Sequence, residues 1–219
     1  MRTSVSQSMD YSWDYAASLF WSRYPNPFSK HVLFEDTLER SLIDSNTLYT
    51  KRIIMKQGFG SIPFWLRKIL SNRHELMVEE SIVDISARRI TTITRNVGAL
   101  ARYAVVEERC EYFPLVRRQE KSSSPQDCMQ IERCLSAKSS LAAKVLYPLW
   151  AFLKMRYASS AEKSLLGFNH VCQMHSQNPS ATVTVAPPSS LRDSARSHIK
   201  ELARTQRPRV VIAETEPSN

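Results

Sequence analysis

From His31 to about Ala137, apolar and polar residues alternate mostly with a period of two. Val32, Phe34, Leu38 and Leu42 form one such row across 31–43, and Leu48, Ile54 and their neighbours form the next across 47–57. Further runs lie near 74–85, 89–97, 102–113 and 127–137. Successive side chains of a strand point to opposite faces, so the pattern predicts half-buried strands. The connections are mostly short, and only 63–70 among them carries a helical pattern. That arrangement favours an antiparallel meander over the crossover helices of a parallel sheet. A short first strand over about 3–10 completes the expected sheet of about seven strands.

Two helical patterns flank the meander. Ser12 stands at an N-cap position, followed by Trp13, Ala17, Phe20 and Tyr24 at helical spacing. Tyr24-Pro25-Asn26-Pro27 ends that helix, since neither proline can continue it. A second helix is expected from Lys138 to His175, about 55 Å long at 1.5 Å per residue. Val145, Pro148, Leu149, Phe152 and Leu166 share one arc of it, and Leu146, Trp150, Leu153 and Tyr157 an adjoining one. The apolar sector covers roughly half the circumference, wider than the stripe of a helix packed on one surface. Pro148 is expected to kink it. The fold class is therefore α+β: a concave antiparallel β-sheet gripped by a long kinked C-terminal helix, around something greasy. Residues 1–176 form the expected domain. The Ser-, Pro-, Thr- and Ala-rich residues 177–219 read as a flexible tail, with a short amphipathic helix over Leu191, Ala195, Ile199 and Leu202 as the alternative.

Residues 57–73 are too apolar for an ordinary surface connection. Phe59, Ile62, Phe64, Trp65, Leu66 and Ile69 can plug the open end of the sheet as core. They can equally dip into a bilayer while Arg67 and Lys68 meet anionic headgroups. A lid that covers a cavity in solution and opens on a membrane satisfies both readings.

A net charge of +9 favours an anionic partner: a nucleic acid, a membrane surface or an acidic ligand. The lysines and arginines are dispersed and not interleaved with aromatics in a known motif, which weighs against nucleic acid. The longest apolar run, Val145–Leu153, has nine residues and contains Pro148, too short to span a bilayer. The opening residues, with Arg2, Asp10, Asp14 and no apolar core, resemble neither a signal peptide nor a transit peptide. Cys110, Cys128, Cys134 and Cys172 form no Cys-x-x-Cys pair or zinc pattern; they read as reduced structural thiols, or as one or two bridges in an oxidising compartment. There is no nucleophile elbow, P-loop, His-Glu-x-x-His or dinucleotide fingerprint, so the expectation is a non-enzyme. Glu79-Glu80 and Glu107-Glu108 are adjacent on strands, point to opposite faces and cannot pair for acid–base work. Surface or edge charge is their expected role.

Candidate binding residues begin on the long helix. Arg156, Ser160 and Lys163 project within about 60° of one another and continue the arc of Val145 and Phe152. The line runs from apolar to cationic, the order of a phospholipid from acyl chain to phosphate. A solvated basic end that compensates the helix dipole is the plainer explanation. Arg23, His31 and Lys56 each have an ordinary structural role open to them as well. They define a site only if the fold brings them together.

The chain resembles the PRELI/slowmo family of mitochondrial intermembrane-space lipid-transfer proteins, nearest its PRELI branch. The resemblance runs through Phe20-Trp21-Ser22-Arg23-Tyr24-Pro25-Asn26-Pro27-Phe28-Ser29-Lys30-His31-Val32-Leu33, then Glu79-Glu80-Ser81-Ile82-Val83-Asp84, Thr92-Ile93-Thr94-Arg95-Asn96 and Val105-Val106-Glu107-Glu108-Arg109-Cys110. It implies a lipid cavity under a mobile lid and carriage of phosphatidic acid from outer to inner membrane in support of cardiolipin synthesis. A related branch carries phosphatidylserine. It also implies a small helical partner with twin Cys-x9-Cys motifs, contact with anionic membranes and no cofactor. The positions matching the family's headgroup residues are Arg23, His31, Lys56, Arg156, Ser160 and Lys163. Ser160 stands where the family usually has asparagine, and the lid is about two residues longer. A non-transferring adaptor and a basic nucleic-acid binder are the rivals from other classes.

Overall fold

The Ser12 hydroxyl accepts the Tyr15 amide at 3.4 Å and starts helix α1, Trp13–Ser18. This first helix is shorter than its apolar spacing predicts. Phe20–Ser22 tightens into a 3-10 turn, and the Tyr24–Pro25 peptide bond is cis. Asn26 then organises the proline turn: its carboxamide accepts the Phe28 and Ser29 amides and donates to the Arg23 carbonyl at 2.6 Å. A computed structural model describes residues 1–57, 74–117, 126–139 and 143–178. The expected lid over 58–73 and the expected tail after 178 fall outside these residues.

Seven strands form one antiparallel sheet: β1 Arg2–Met9, β2 Val32–Leu42, β3 Thr47–Gln57, β4 His74–Asp84, β5 Arg89–Asn96, β6 Ala104–Arg117 and β7 Gln126–Ser139. Their order is β1-β7-β6-β5-β4-β3-β2, a meander whose first strand returns beside the last. The sheet is open, with β1 and β2 at its edges. Pro114 is tolerated inside β6 because the pairing with β5 ends at Tyr112, leaving that segment only β7 as a neighbour. The alternation in β2 overstates burial at its far end, where Leu42 is 71% exposed at the hairpin tip.

The long helix, α2, runs from Ala143 to Gln177. Its expected start at Lys138 is corrected, because Ala137, Lys138 and Ser139 pair with Val106, Val105 and Ala104 across the sheet. Ladder hydrogen bonds to an existing neighbour satisfy those backbone groups before a helix can nucleate. Pro148 lies inside the helix. Its buried stripe is narrower than the apolar sector suggests: Leu149, Phe152, Leu153, Tyr157, Ala161, Phe168 and Cys172 are buried, while Tyr147, Met155 and Leu166 are exposed.

The stripe divides the interior into three parts. Toward its C-terminus α2 joins a cluster with Met9, Trp13, Phe20, Ile90, Tyr112 and Ile131, where Phe168 and Cys172 pack. Toward its N-terminus Leu149, Phe152 and Leu153 pack on Leu100 and Ala104. Between these apolar clusters, Tyr157, Ala161 and Ser164 meet a polar strip of the sheet. The greasy interior expected beneath the whole helix is thus interrupted at its middle. Gly167 closes the joint between α2 and the proline turn, because a Cβ there would overlap the Asn26 carboxamide.

Candidate functional site

Strand register assembles the polar strip. Arg52, Glu79, Thr94 and Glu108 lie in one cross-strand row, and Thr50, Ser81, Thr92, Cys110 and Arg133 lie in the next. Arg23, carried in by the turn after the Phe20–Ser22 segment, enters from one side. Its Nη2 donates to Glu79 Oε2 at 2.5 Å and its Nη1 to the Tyr112 hydroxyl at 3.3 Å. Arg52 donates to the other Glu79 oxygen through Nε and Nη2, at 3.2 and 2.6 Å, and to Glu35 through Nη1 at 3.0 Å.

Glu79 is therefore buried between two guanidinium groups. Burial opposes its charge, but Arg23 and Arg52 outweigh that and hold its pKa at about 2. Glu80, on the opposite face, is also buried; it accepts from Tyr49 and Arg95, each at 3.1 Å. The expectation that Glu79 and Glu80 are surface or edge charge is corrected. Each has its own arginine, which is what makes a buried carboxylate tolerable. Arg133 is the third buried cation: Nη1 donates to Glu108 at 3.3 Å and Nη2 to Ser164 of α2 at 3.2 Å. The Tyr157 hydroxyl also donates to Glu108, at 3.1 Å, so two bonds tie the middle of α2 to this strip.

A pocket opens beside these groups, enclosing about 40 Å³. Its walls include Arg23, Tyr24, His31, Lys56, Arg133 and Ser160. Of the six sequence-predicted residues, Arg23, His31, Lys56 and Ser160 line it. Arg156 and Lys163, both exposed on α2, lie close enough to act on His31 through their charge. The His31 carbonyl accepts the Gln57 amide at 2.6 Å, which seats the imidazole next to Lys56. Burial first, then Lys56, Lys163 and Arg156, push the His31 pKa down to about 4. His31 is therefore neutral at physiological pH, within a rim of three cations.

Arg23 stands apart from that rim, because its charge is compensated by Glu79 at contact distance. Sequence reasoning missed Arg52, Glu79, Tyr112 and Arg133. Charged residues on strands read as solvent-facing until register shows them opposite one another. The unbroken polar row Thr92, Thr94 beside Glu79 was the available signal.

One cysteine touches the site directly: the Cys110 Sγ accepts from Arg133 Nη1 at 3.7 Å. Cys110 lines the pocket with its thiol pKa raised to about 12 by burial, and all four cysteines are free. Arg109↔Cys134 and Cys110↔Arg133 are the paired positions, so Cys110 and Cys134 sit on opposite faces.

An open antiparallel sheet with a long C-terminal helix lying over a pocket defines a helix-grip protein. The same fold occurs in the crystal structure of TTHA0849 from Thermus thermophilus, with a TM-score of 0.51, 12% identity, and coverage of 80% of this chain and 99% of that one. The model of the PRELI-like family matches residues 14–179, and the chain belongs to that family. Among its relatives, PRELI domain-containing protein 1, mitochondrial, of Gallus gallus is 35% identical over 175 residues, 78% of this chain and 76% of that protein. Protein UPS2, mitochondrial, of Saccharomyces cerevisiae is 30% identical over 176 residues, 79% of this chain and 73% of that protein.

Proposed function

We propose that this chain is a mitochondrial lipid-transfer protein that carries phosphatidic acid between the outer and inner membranes across the intermembrane space. The single observation that carries this reading is the convergence of Lys56, Arg156 and Lys163 on His31. Lys56 comes from β3 and the other two from α2, so only the closed fold brings them together. Among the described residues neither Lys56 nor Lys163 has a carboxylate within ion-pair distance, although the Lys56 charge helps hold Glu79 ionised. Cations gathered around a neutral imidazole suit a ligand with concentrated negative charge. A phosphate monoester carries nearly two negative charges near neutral pH, more than a diester. That difference favours phosphatidic acid over phosphatidylserine, the second candidate ligand.

The pocket's polar walls suit a headgroup. Its volume of about 40 Å³ is far below the roughly 300–1,000 Å³ of a site that encloses a whole small ligand. The acyl chains would extend out of it. Transfer breaks no covalent bond, so the residues need only bind, release and exclude water. A small helical twin Cys-x9-Cys protein is the proposed partner, on the family resemblance. The supporting facts for the compartment are the mitochondrial names of the relatives.

The test is phosphatidic acid transfer between liposomes. Because Lys163 is exposed, Lys163→Glu should leave the fold intact by circular dichroism. It should slow transfer by about tenfold or more, since one favourable charge becomes a repulsive one. An unchanged rate would remove the rim from the binding site. Detection of a bound complex without any transfer would favour the adaptor reading instead.

A further inference from the structure

Strand register sets Glu75 on β4 directly opposite Lys56 on β3, so the two side chains leave the sheet on the same face. Lys56 lines the pocket and belongs to the cationic rim around His31. Among the described residues it has no carboxylate within ion-pair distance, Glu75 included. The Glu75 carboxyl is turned instead toward the turn at Gly98, so closely that a Cβ there would stand 2.8 Å from Oε1.

Glu75 is poorly satisfied where it lies. Its Oε1 is buried without a hydrogen-bond partner. Burial pushes its pKa up to about 7, against the opposing pull of the Leu100 and Gly98 backbone and the Asn96 side chain. A buried carboxylate that ionises near neutral pH calls for a cation. The Asn96 amide already donates to the Ala104 carbonyl, and behind the turn Leu100 packs on Leu149, Phe152 and Leu153 of α2. His74 and Arg102 are exposed, and Glu79, on the same face of β4, holds Arg23 and Arg52. Lys56 is the cation that strand pairing places beside Glu75.

We propose that Glu75 is an internal counter-ion that exchanges with the lipid phosphate at Lys56. This rests on the reading of the rim as the phosphate site, and it names the group that competes there. With phosphate bound, Lys56 serves the lipid and Glu75 stays against the Gly98 turn as the neutral acid. When the phosphate leaves, Glu75 gives its proton to solvent and its carboxylate rotates across to Lys56. That contact relieves the repulsion among the rim cations and eases release. Ionised Glu75 competes with phosphate and protonated Glu75 does not, so competition is absent at low pH and present above about 7.

The test measures binding of soluble dihexanoyl phosphatidic acid to the full-length chain at about pH 5.5 and about pH 8. Wild type is compared with Glu75→Gln, which matches the neutral acid in shape and cannot ionise. Comparing the two proteins at each pH cancels the ionisation of the phosphate itself. Glu75→Gln should bind about fivefold more tightly at the higher pH, the scale of one cross-strand ion pair, and within about twofold of wild type at the lower. In a Lys56→Gln background the advantage should disappear. Glu75→Met, of similar length, gives the same comparison where the amide disturbs the fold. Equal affinities of wild type and variant at both pH values would overturn the counter-ion. An advantage that persists without Lys56 would overturn the exchange and assign the effect to the general field of Glu75. No binding of the probe by wild type or variant at either pH would overturn the phosphate reading itself.

Discussion

His31 owes its low proton affinity to burial first, and then to Lys56, Lys163 and Arg156. Its pKa of about 4 lies below the ordinary value of 6.5, so between these limits the unfolded chain binds more protons than the folded one. The contribution of neutral His31 to stability is accordingly present above about pH 6.5 and lost as pH falls toward 4. Binding should reverse the shift. A phosphate at the rim offsets the three cations and favours imidazolium, raising the His31 pKa by at least about one unit. Titration of the His31 ring resonances by NMR, with and without a short-chain phosphatidic acid, measures this directly. A pKa that stays near 4 in the complex would place the phosphate elsewhere. At this scale the sequence was only partly legible. His31 and Lys56 could be singled out through the family resemblance, and Arg156, Ser160 and Lys163 through helical spacing. Glu79 and Arg133 could not, because a charge on an alternating strand looks solvated until its cross-strand neighbours are known.

The elements that position the site meet at two tight joints. One is the bonding of Tyr157 and Ser164 on α2 to Glu108 and Arg133 on the sheet. The other is Gly167 against Asn26, where the proline turn and α2 approach closely. Alanine at 167 would gain about 1 kcal/mol of helix propensity. Overlap with the Asn26 carboxamide works against it, at about 1–3 kcal/mol for overpacking. Asn26 is fixed by three hydrogen bonds and cannot swing aside without losing them. Gly167→Ala should therefore destabilise the protein by about 1 kcal/mol in urea denaturation. Stabilisation would mean the joint is looser than described. The strands were readable from period-two alternation, since each has one face on the interior. The β7–α2 boundary was not, because Ala137-Lys138-Ser139 suits either element and the presence of β6 decided it. Pro114 likewise gave no warning that β6 continues to Arg117.

Across the whole molecule, two apolar clusters hold α2 at its ends, and a polar seam runs beneath its middle. The clusters fix the helix by burial, so the seam need not stabilise the fold by itself. Its buried ion pairs are compensated rather than strongly stabilising. Residues as far apart in the chain as His31 and Lys163 thereby share one electrostatic environment. The sheet-and-helix architecture followed from patterning alone, whereas the polar seam depended on how seven strands align. The central claim is that the rim selects a phosphate monoester on a lipid. Mass spectrometry of lipid extracted from the full-length protein, purified with its proposed partner, tests it most directly. Phosphatidic acid enriched over phosphatidylserine and neutral lipids is the predicted result. Protein that carries no phospholipid, or one that takes up neutral lipid as readily, would contradict it.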